Sequence, residues 1–412
     1  MYHRQLAARI LDSLSDTPVV FLQGARQTGK STLVQALANS EYPADYLSLD
    51  TMAVRSAATA DPEGFIAGLE GPVVLDEVQR APELALAIKA AVDADRQSGR
   101  FLLTGSANIM LLPKLSESLA GRIELHTLWP LSQNEIDGSE SENFIDRLFS
   151  DHFSAQGGFE PIEFGDLADR VLRGGYPDAL TRRPTRQAAW FDAYISTILQ
   201  RDVREIANIE HLAQMPRLLT LLASRTGSLL NYSSLARDLA LPQSTLKRYM
   251  ALFEATFLVR PLPPWSANLG KRLVKSSKLM LTDTGLLSHL LGLDAERLKA
   301  DRTLAGPVLE NFAAMEVIKQ LGWSRTRCEL FHFRTDTGHE VDMVLEDRRG
   351  RLIGIEIKAA ASVQGKDVRG LRTLAELAGE RFVRGVLLYT GGVTVPFARN
   401  LHALPISALW AM

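Results

Sequence analysis

Val19-Val20-Phe21-Leu22-Gln23-Gly24-Ala25-Arg26-Gln27-Thr28-Gly29-Lys30-Ser31-Thr32 is the stretch on which the fold turns. Val19 to Leu22 read as a buried strand, and Ser31 to Ala38 read as a helix. Between them, Gly24 to Ser31 fit the pattern G-x-x-x-x-G-K-[ST] in the strand–loop–helix context that pattern requires. Gly24 and Gly29 let the backbone curl, so that the N–H groups of Ala25, Arg26, Gln27 and Thr28 can face phosphate oxygens. The start of the helix adds positive potential. Lys30 is expected to reach the β- and γ-phosphates of a nucleotide, and Ser31 to ligate Mg2+, with Thr32 completing the loop.

Short apolar runs recur beyond the loop. Tyr46–Asp50, Pro72–Asp76 and Arg100–Thr104 read as strands, Ile123–Leu125 as the start of a fifth, and Glu83–Asp95 as a helix between them. That alternation predicts an α/β fold with a doubly wound parallel sheet. Asp76-Glu77 end an apolar strand 46 residues after Lys30. Asp76 is expected to help hold Mg2+, and Glu77 to polarise the attacking water. Ser106 or Asn108, at the end of the next strand, is a candidate γ-phosphate sensor, or else caps a helix. Arg122 is placed either as a finger toward a neighbouring subunit's nucleotide or as a structural side chain. No Asn-Lys-x-Asp tetrad follows, which favours ATP over GTP.

With 412 residues, the chain has room for two to four domains. Hydrophobic residues at 46% and charged residues at 23% exclude a globally disordered, collagenous or rod-like chain. Cys328 is the only cysteine, so neither a disulfide framework nor a Cys-based zinc site is available. The eight histidines show no zinc spacing, and His339 reads as a surface residue. No apolar run approaches ~18 residues, and the start lacks a secretory pattern. A reduced, cytoplasmic protein without a membrane span is expected.

The stretch 138–165 is polar and reads as irregular, and 167–224 is helical in pattern. Tyr232–Leu239, the turn Ala240–Gln243 and Ser244–Ala255 then have helix-turn-helix character, with Leu258–Leu262 as a wing strand. Residues 227–278 hold eight Lys or Arg against two Asp or Glu, inside a chain of net charge −2. Leu246, Met250 and Phe253 share an inward face. Ser244, Thr245, Lys247, Arg248 and Tyr249 lie on or near a candidate recognition helix for DNA, or on a packing module with solvated charges.

The last third reads as a helix from Pro307 to Leu321, strands at Cys328–Phe333, Glu340–Leu345 and Leu352–Lys358, a helix at Lys366–Ala378 and a strand at Val383–Tyr389. Period-two alternation on adjacent hairpin strands converges Asp342, Glu356 and Lys358 on one spot. Asp342 and Glu356 are candidate Mg2+ or Mn2+ ligands, Glu310 a further one, and Lys358 a group that could activate water for phosphodiester attack. The same residues could instead form a semi-buried salt-bridge cluster. Gln364 is a minor candidate for phosphate or metal.

The segments Gln-Gly-Ala-Arg-Gln-Thr-Gly-Lys-Ser-Thr, Leu-Asp-Glu-Val-Gln-Arg-Ala-Pro, Leu-Thr-Gly-Ser and Leu-Ala-Gly-Arg occur in this order, followed by Gln200–Val203 and Gly306–Phe312. In this the chain resembles the prokaryotic AAA-type ATPases that carry a C-terminal DUF4143 domain. The C-terminal pattern is similar to the PD-(D/E)xK nucleases, although Val341 stands where that motif has Pro. The resemblance implies a P-loop ATPase core over 1–137, a helical lid or linker over 138–226, a winged-helix segment over 227–278 and a restriction-endonuclease-like α/β domain over 279–412. It implies ATP binding, and the residues read above add the expectation of Mg2+-dependent ATP hydrolysis coupled to DNA binding, with metal-dependent DNA cleavage by the C-terminal domain as a further step and a homo-oligomer if Arg122 acts on a neighbour. The alternatives are an ATP-dependent switch with an inert C-terminal domain, or an NTPase acting on protein or RNA.

Overall fold

The computed structural model describes residues 2–108, 119–139, 141–155, 159, 161–203, 212–268, 270, 272 and 276–411. The first sheet is built from β1 (Val19–Gln23), β2 (Asp45–Ser48), β3 (Val73–Asp76), β4 (Phe101–Gly105) and β5 (Ile123–Thr127). Its order is β2-β3-β4-β1-β5, and all of its pairings are parallel. Alternate residues of β1 face opposite ways: Val19 and Phe21 enter one core, Val20 and Leu22 another. Helices cover both faces, so an uninterrupted apolar run is the pattern this strand needs. The order puts the carboxyl ends of β1, β4 and β3 side by side, where ligands bind in sheets of this kind.

The helix Gln243–Ala255 leads into an antiparallel pair, β6 (Val259–Leu262) and β7 (Lys278–Leu281). The boundary expected between 278 and 279 therefore falls inside β7. Beyond it, β8 (Cys328–Arg334), β9 (Glu340–Asp347), β10 (Leu352–Lys358), β11 (Phe382–Tyr389), β12 (Val395–Ala398) and β13 (Leu401–Pro405) form a mixed sheet in the order β12-β13-β11-β10-β9-β8.

Several sequence expectations change. The helix expected from Pro307 begins at Arg302, because Asp301 caps it by accepting from the Thr303 N–H at 2.9 Å. Pro307 thus lies inside the helix rather than opening it. Within the supposedly irregular 138–165, Phe144–Phe149 is a helix whose Phe144, Ile145, Leu148 and Phe149 are all buried. Strands β12 and β13 were not anticipated. One core runs from Trp129 through the middle helices to Trp410, joining elements on both sides of the expected boundaries.

Candidate nucleotide site

The loop after β1 closes tightly. A Cβ on Gly24 would lie 2.3 Å from the Leu128 carbonyl oxygen, so only glycine fits there. Gly29 has φ +94° at the start of the helix Lys30–Ala38, a conformation that L side chains avoid. Lys30 is buried and folded back into the loop, donating to the carbonyls of Gly24 and Ala25 at 2.9 Å each.

Asp76 ends β3 and is 3% exposed. It accepts from the Ser31 hydroxyl at 2.9 Å, from the Tyr46 hydroxyl at 2.7 Å and from the Thr104 hydroxyl. Burial, and then the bond to Asp76, push the Tyr46 hydroxyl up to about 12, so it stays a donor at neutral pH. Glu77 has φ +60°, an uncommon conformation for a residue with a side chain. Its N–H donates to Thr104 Oγ1 at 3.1 Å. The Gln79 amide donates to Glu77 and, at 2.9 Å, to Ser106 Oγ. Gln79 therefore ties the ends of β3 and β4 together.

A cavity of about 380 Å³ opens over this arrangement, lined by Lys30, Ser31, Thr32 and Glu77 and roofed by Trp190 and Tyr194 of the helix Pro184–Thr197. The Tyr194 hydroxyl donates to the Arg26 carbonyl at 3.4 Å, and its ring stacks on Trp190 at 5.0 Å. A second cavity, about 360 Å³ and largely apolar, adjoins Gly29 and Thr32 on the other side and is walled by Tyr2, Ala7, Leu33 and Pro177.

Sequence reading missed Arg4, Tyr46, Gln79, Trp190 and Tyr194. Arg4 is buried behind the loop, donating to Thr28 O at 2.8 Å, Trp129 O at 2.6 Å and Glu135 at 3.1 Å. Asn108 does not approach the cavity through its backbone, whose N–H donates to the Ala255 carbonyl at 2.9 Å. Arg122 precedes β5, at the opposite end of the parallel sheet from the loop, and forms a paired contact with Asp93 at 2.6 and 2.8 Å. It does not serve its own chain's loop in this arrangement.

The predicted C-terminal residues do converge. Lys358 donates to Glu356 at 2.8 Å, and the Ile357 N–H donates to Asp342 Oδ2 at 2.9 Å. Lys278, not foreseen as part of the cluster, donates to Glu310 at 2.7 Å and Asp342 at 3.0 Å. Burial, and then the Asp342 charge, raise both Glu310 and Glu356 to about 8. Burial alone would lower the Lys278 ammonium, but Asp342 and Glu310 reverse this and hold it above the ordinary lysine range. Gln364 is exposed, with its N–H on Asp367, and His339 donates its N–H to Thr335. On the helix Gln243–Ala255, Ser244, Lys247 and Arg248 are exposed, but Tyr249 is 2% exposed and belongs to the core. It cannot read a nucleic acid from there. The side chains of Arg201 and Asp202 lie outside the described residues.

Comparison with known families places an AAA domain at residues 16–137, the domain of unknown function DUF8612 at 165–297 and DUF4143 at 305–409. An uncharacterized protein of Mycobacterium tuberculosis (strain ATCC 25618 / H37Rv) is 34% identical over 404 residues, covering 98% of this chain and 83% of the relative. The chain belongs to this family of AAA-domain proteins with a C-terminal DUF4143 domain. A more distant relative, an uncharacterized protein of Haemophilus influenzae, is 22% identical over 53% of this chain and 52% of its own length. Among solved structures, the Thermotoga maritima RuvB Holliday junction branch migration motor is similar over 64% of this chain and 90% of its own, at 18% identity and TM-score 0.30. A DNA polymerase III gamma subunit-related protein from the same organism covers 61% and 99%, at 13% identity and TM-score 0.25. Family membership thus makes the first sheet a P-loop NTPase core. No described helix of this family member is long and apolar enough to cross a membrane.

Proposed function

We propose that the chain binds ATP with Mg2+ at the loop between β1 and the helix Lys30–Ala38, and hydrolyses it. The observation that carries this reading is the convergence of Lys30, the Ser31–Asp76 pair and Glu77 on one cavity of about 380 Å³. Lys30 exchanges its two loop carbonyls for β- and γ-phosphate oxygens, a stronger, charge-assisted pairing. Ser31 and Asp76 form a hard-oxygen pair of the kind Mg2+ takes together with substrate phosphates, so these residues fit the ion. Bound there, Mg2+ neutralises charge on the phosphates. Glu77 orients the attacking water and draws its proton, with the Gln79 amide fixing the carboxylate. The apolar cavity beside Gly29 has the size and lining for a purine base.

The test combines two variants. Lys30→Ala removes the phosphate contact and should abolish ATP binding by calorimetry. Glu77→Gln should keep binding while slowing phosphate release ~10²–10⁴-fold. Unchanged turnover in both variants would discard the assignment.

A second reading rests on Ser244, Lys247 and Arg248, which project from one exposed side of the helix Gln243–Ala255. These residues support contact with a DNA backbone, through charge and hydroxyl hydrogen bonds. Arg122 could act only on the nucleotide of a neighbouring copy, which requires a homo-oligomer and release of Asp93.

A further inference from the structure

The carboxylate cluster of the C-terminal sheet already contains a cation from the chain itself. Lys278 opens β7 opposite Leu262 of β6, and is 4% exposed. Its ammonium spans Glu310 Oε1 at 2.7 Å and Asp342 Oδ1 at 3.0 Å, residues on the long helix Arg302–Leu321 and on β9. The second Asp342 oxygen is taken by the Ile357 N–H, and Glu356 Oε1 by Lys358. Mg2+ demands a near-octahedral shell of oxygens at about 2.0–2.1 Å. Among the described residues, no three His, Cys, Asp or Glu side chains are placed to hold a metal ion. As they stand, Glu310, Asp342 and Glu356 do not fit Mg2+ or Mn2+, because an ammonium lies between two of them.

We infer that Lys278 is the resident cation of this cluster, delivered by β7, and that a divalent ion enters only when the ammonium is absent. A second observation shows what the lysine leaves unmet. Glu356 is 6% exposed, and its Oε2 is buried with no hydrogen-bond partner among the described residues. Glu356 therefore keeps one oxygen that neither Lys278 nor Lys358 occupies, and on ionisation of the carboxyl it is a hard oxygen of the type Mg2+ and Mn2+ take. The segment that leads into β6, the pairing partner of β7, touches the P-loop domain. The Ala255 carbonyl accepts from Asn108 beyond β4, and Phe257 packs edge-on against Trp129 at 5.7 Å. The cation is thus carried by the element between the two sheets and not by the C-terminal sheet itself.

The test titrates the nucleotide-free full chain with Mn2+, following free ion by electron paramagnetic resonance and melting temperature in parallel. Lys278→Met removes the charge and keeps the length. The wild type should show no site tighter than about 1 mM, whereas the variant should gain one site at least ~10-fold tighter and a melting temperature that rises with Mn2+. Adding Asp342→Asn to Lys278→Met should abolish both gains. If Lys278→Met folds poorly, Lys278→Gln is read the same way, and folding restored by Mn2+ in either variant counts as the gain. A wild-type Mn2+ site that Asp342→Asn removes would overturn the inference. So would Lys278 variants that fold and bind no more Mn2+ than wild type.

Discussion

The Arg4 guanidinium donates to the Thr28 carbonyl at 2.8 Å, so a residue near the start of the chain fixes the back of the phosphate loop. The same side chain meets Trp129 O and Glu135, and Glu135 also closes a capping box with Ser132. Arg4→Ala should cost about 3–5 kcal/mol, because it removes the ion-pair partner of the buried Glu135 carboxylate. It should also weaken ATP binding several-fold by loosening the loop. Urea unfolding and calorimetry check both effects, and a cost under about 1 kcal/mol would show that the brace is not structural.

Trp190 should report on nucleotide. It lines the phosphate cavity and stacks on Tyr194, which bonds the loop at Arg26. ATP with Mg2+ is expected to change tryptophan emission in the wild type. Trp190→Phe should remove most of the change, and Lys30→Ala should prevent it. A full response in Trp190→Phe would place the moving element elsewhere.

His332 sets a pH dependence of stability. Burial lowers it to about 4 from an ordinary 6.5, while its Nε2 contacts the Ser276 carbonyl at 3.0 Å. Between these values the unfolded chain binds a proton that the folded chain refuses. This contribution is therefore present above pH 6.5 and is lost as pH falls toward 4. His332→Gln should flatten the fall in melting temperature across that window. An unchanged slope would show that other groups govern acid sensitivity.

If the exposed helix face meets DNA, replacing both Lys247 and Arg248 by Ala should weaken duplex retention and lower the salt slope by roughly two. The melting temperature should fall only slightly, since both side chains are exposed and Lys247 gives up a contact with the Tyr232 ring at 5.9 Å. Retention and salt slope equal to wild type would remove the second reading.

The parts legible in the sequence are those whose signal is local. The loop from Gly24 to Thr32, the Asp76-Glu77 strand end and the Asp342/Glu356/Lys358 convergence each follow from spacing within one element or one hairpin. Tyr249 was legible and misread: it stands three residues after Leu246, on the same face as Met250 and Phe253, and is buried with them. Arg4 and Lys278 had no such signal. Lys278 meets Asp342 across 64 residues and Arg4 meets Glu135 across 131, so neither pairing leaves a periodic trace. The extension of the long helix back to Arg302 depended on one cap at Asp301, which outweighed the start signal of Pro307.

The continuous core from Trp129 to Trp410 decides how the chain can be dissected. Severing it near residue 278 or 300 would bare apolar surface on both pieces and part Lys278 or its neighbours from their counter-charges. Excised fragments would therefore aggregate or refold around the wound, and their chemistry would misreport the parent. Point substitutions in the intact polypeptide are the faithful instrument, because the middle and C-terminal elements share one set of buried side chains.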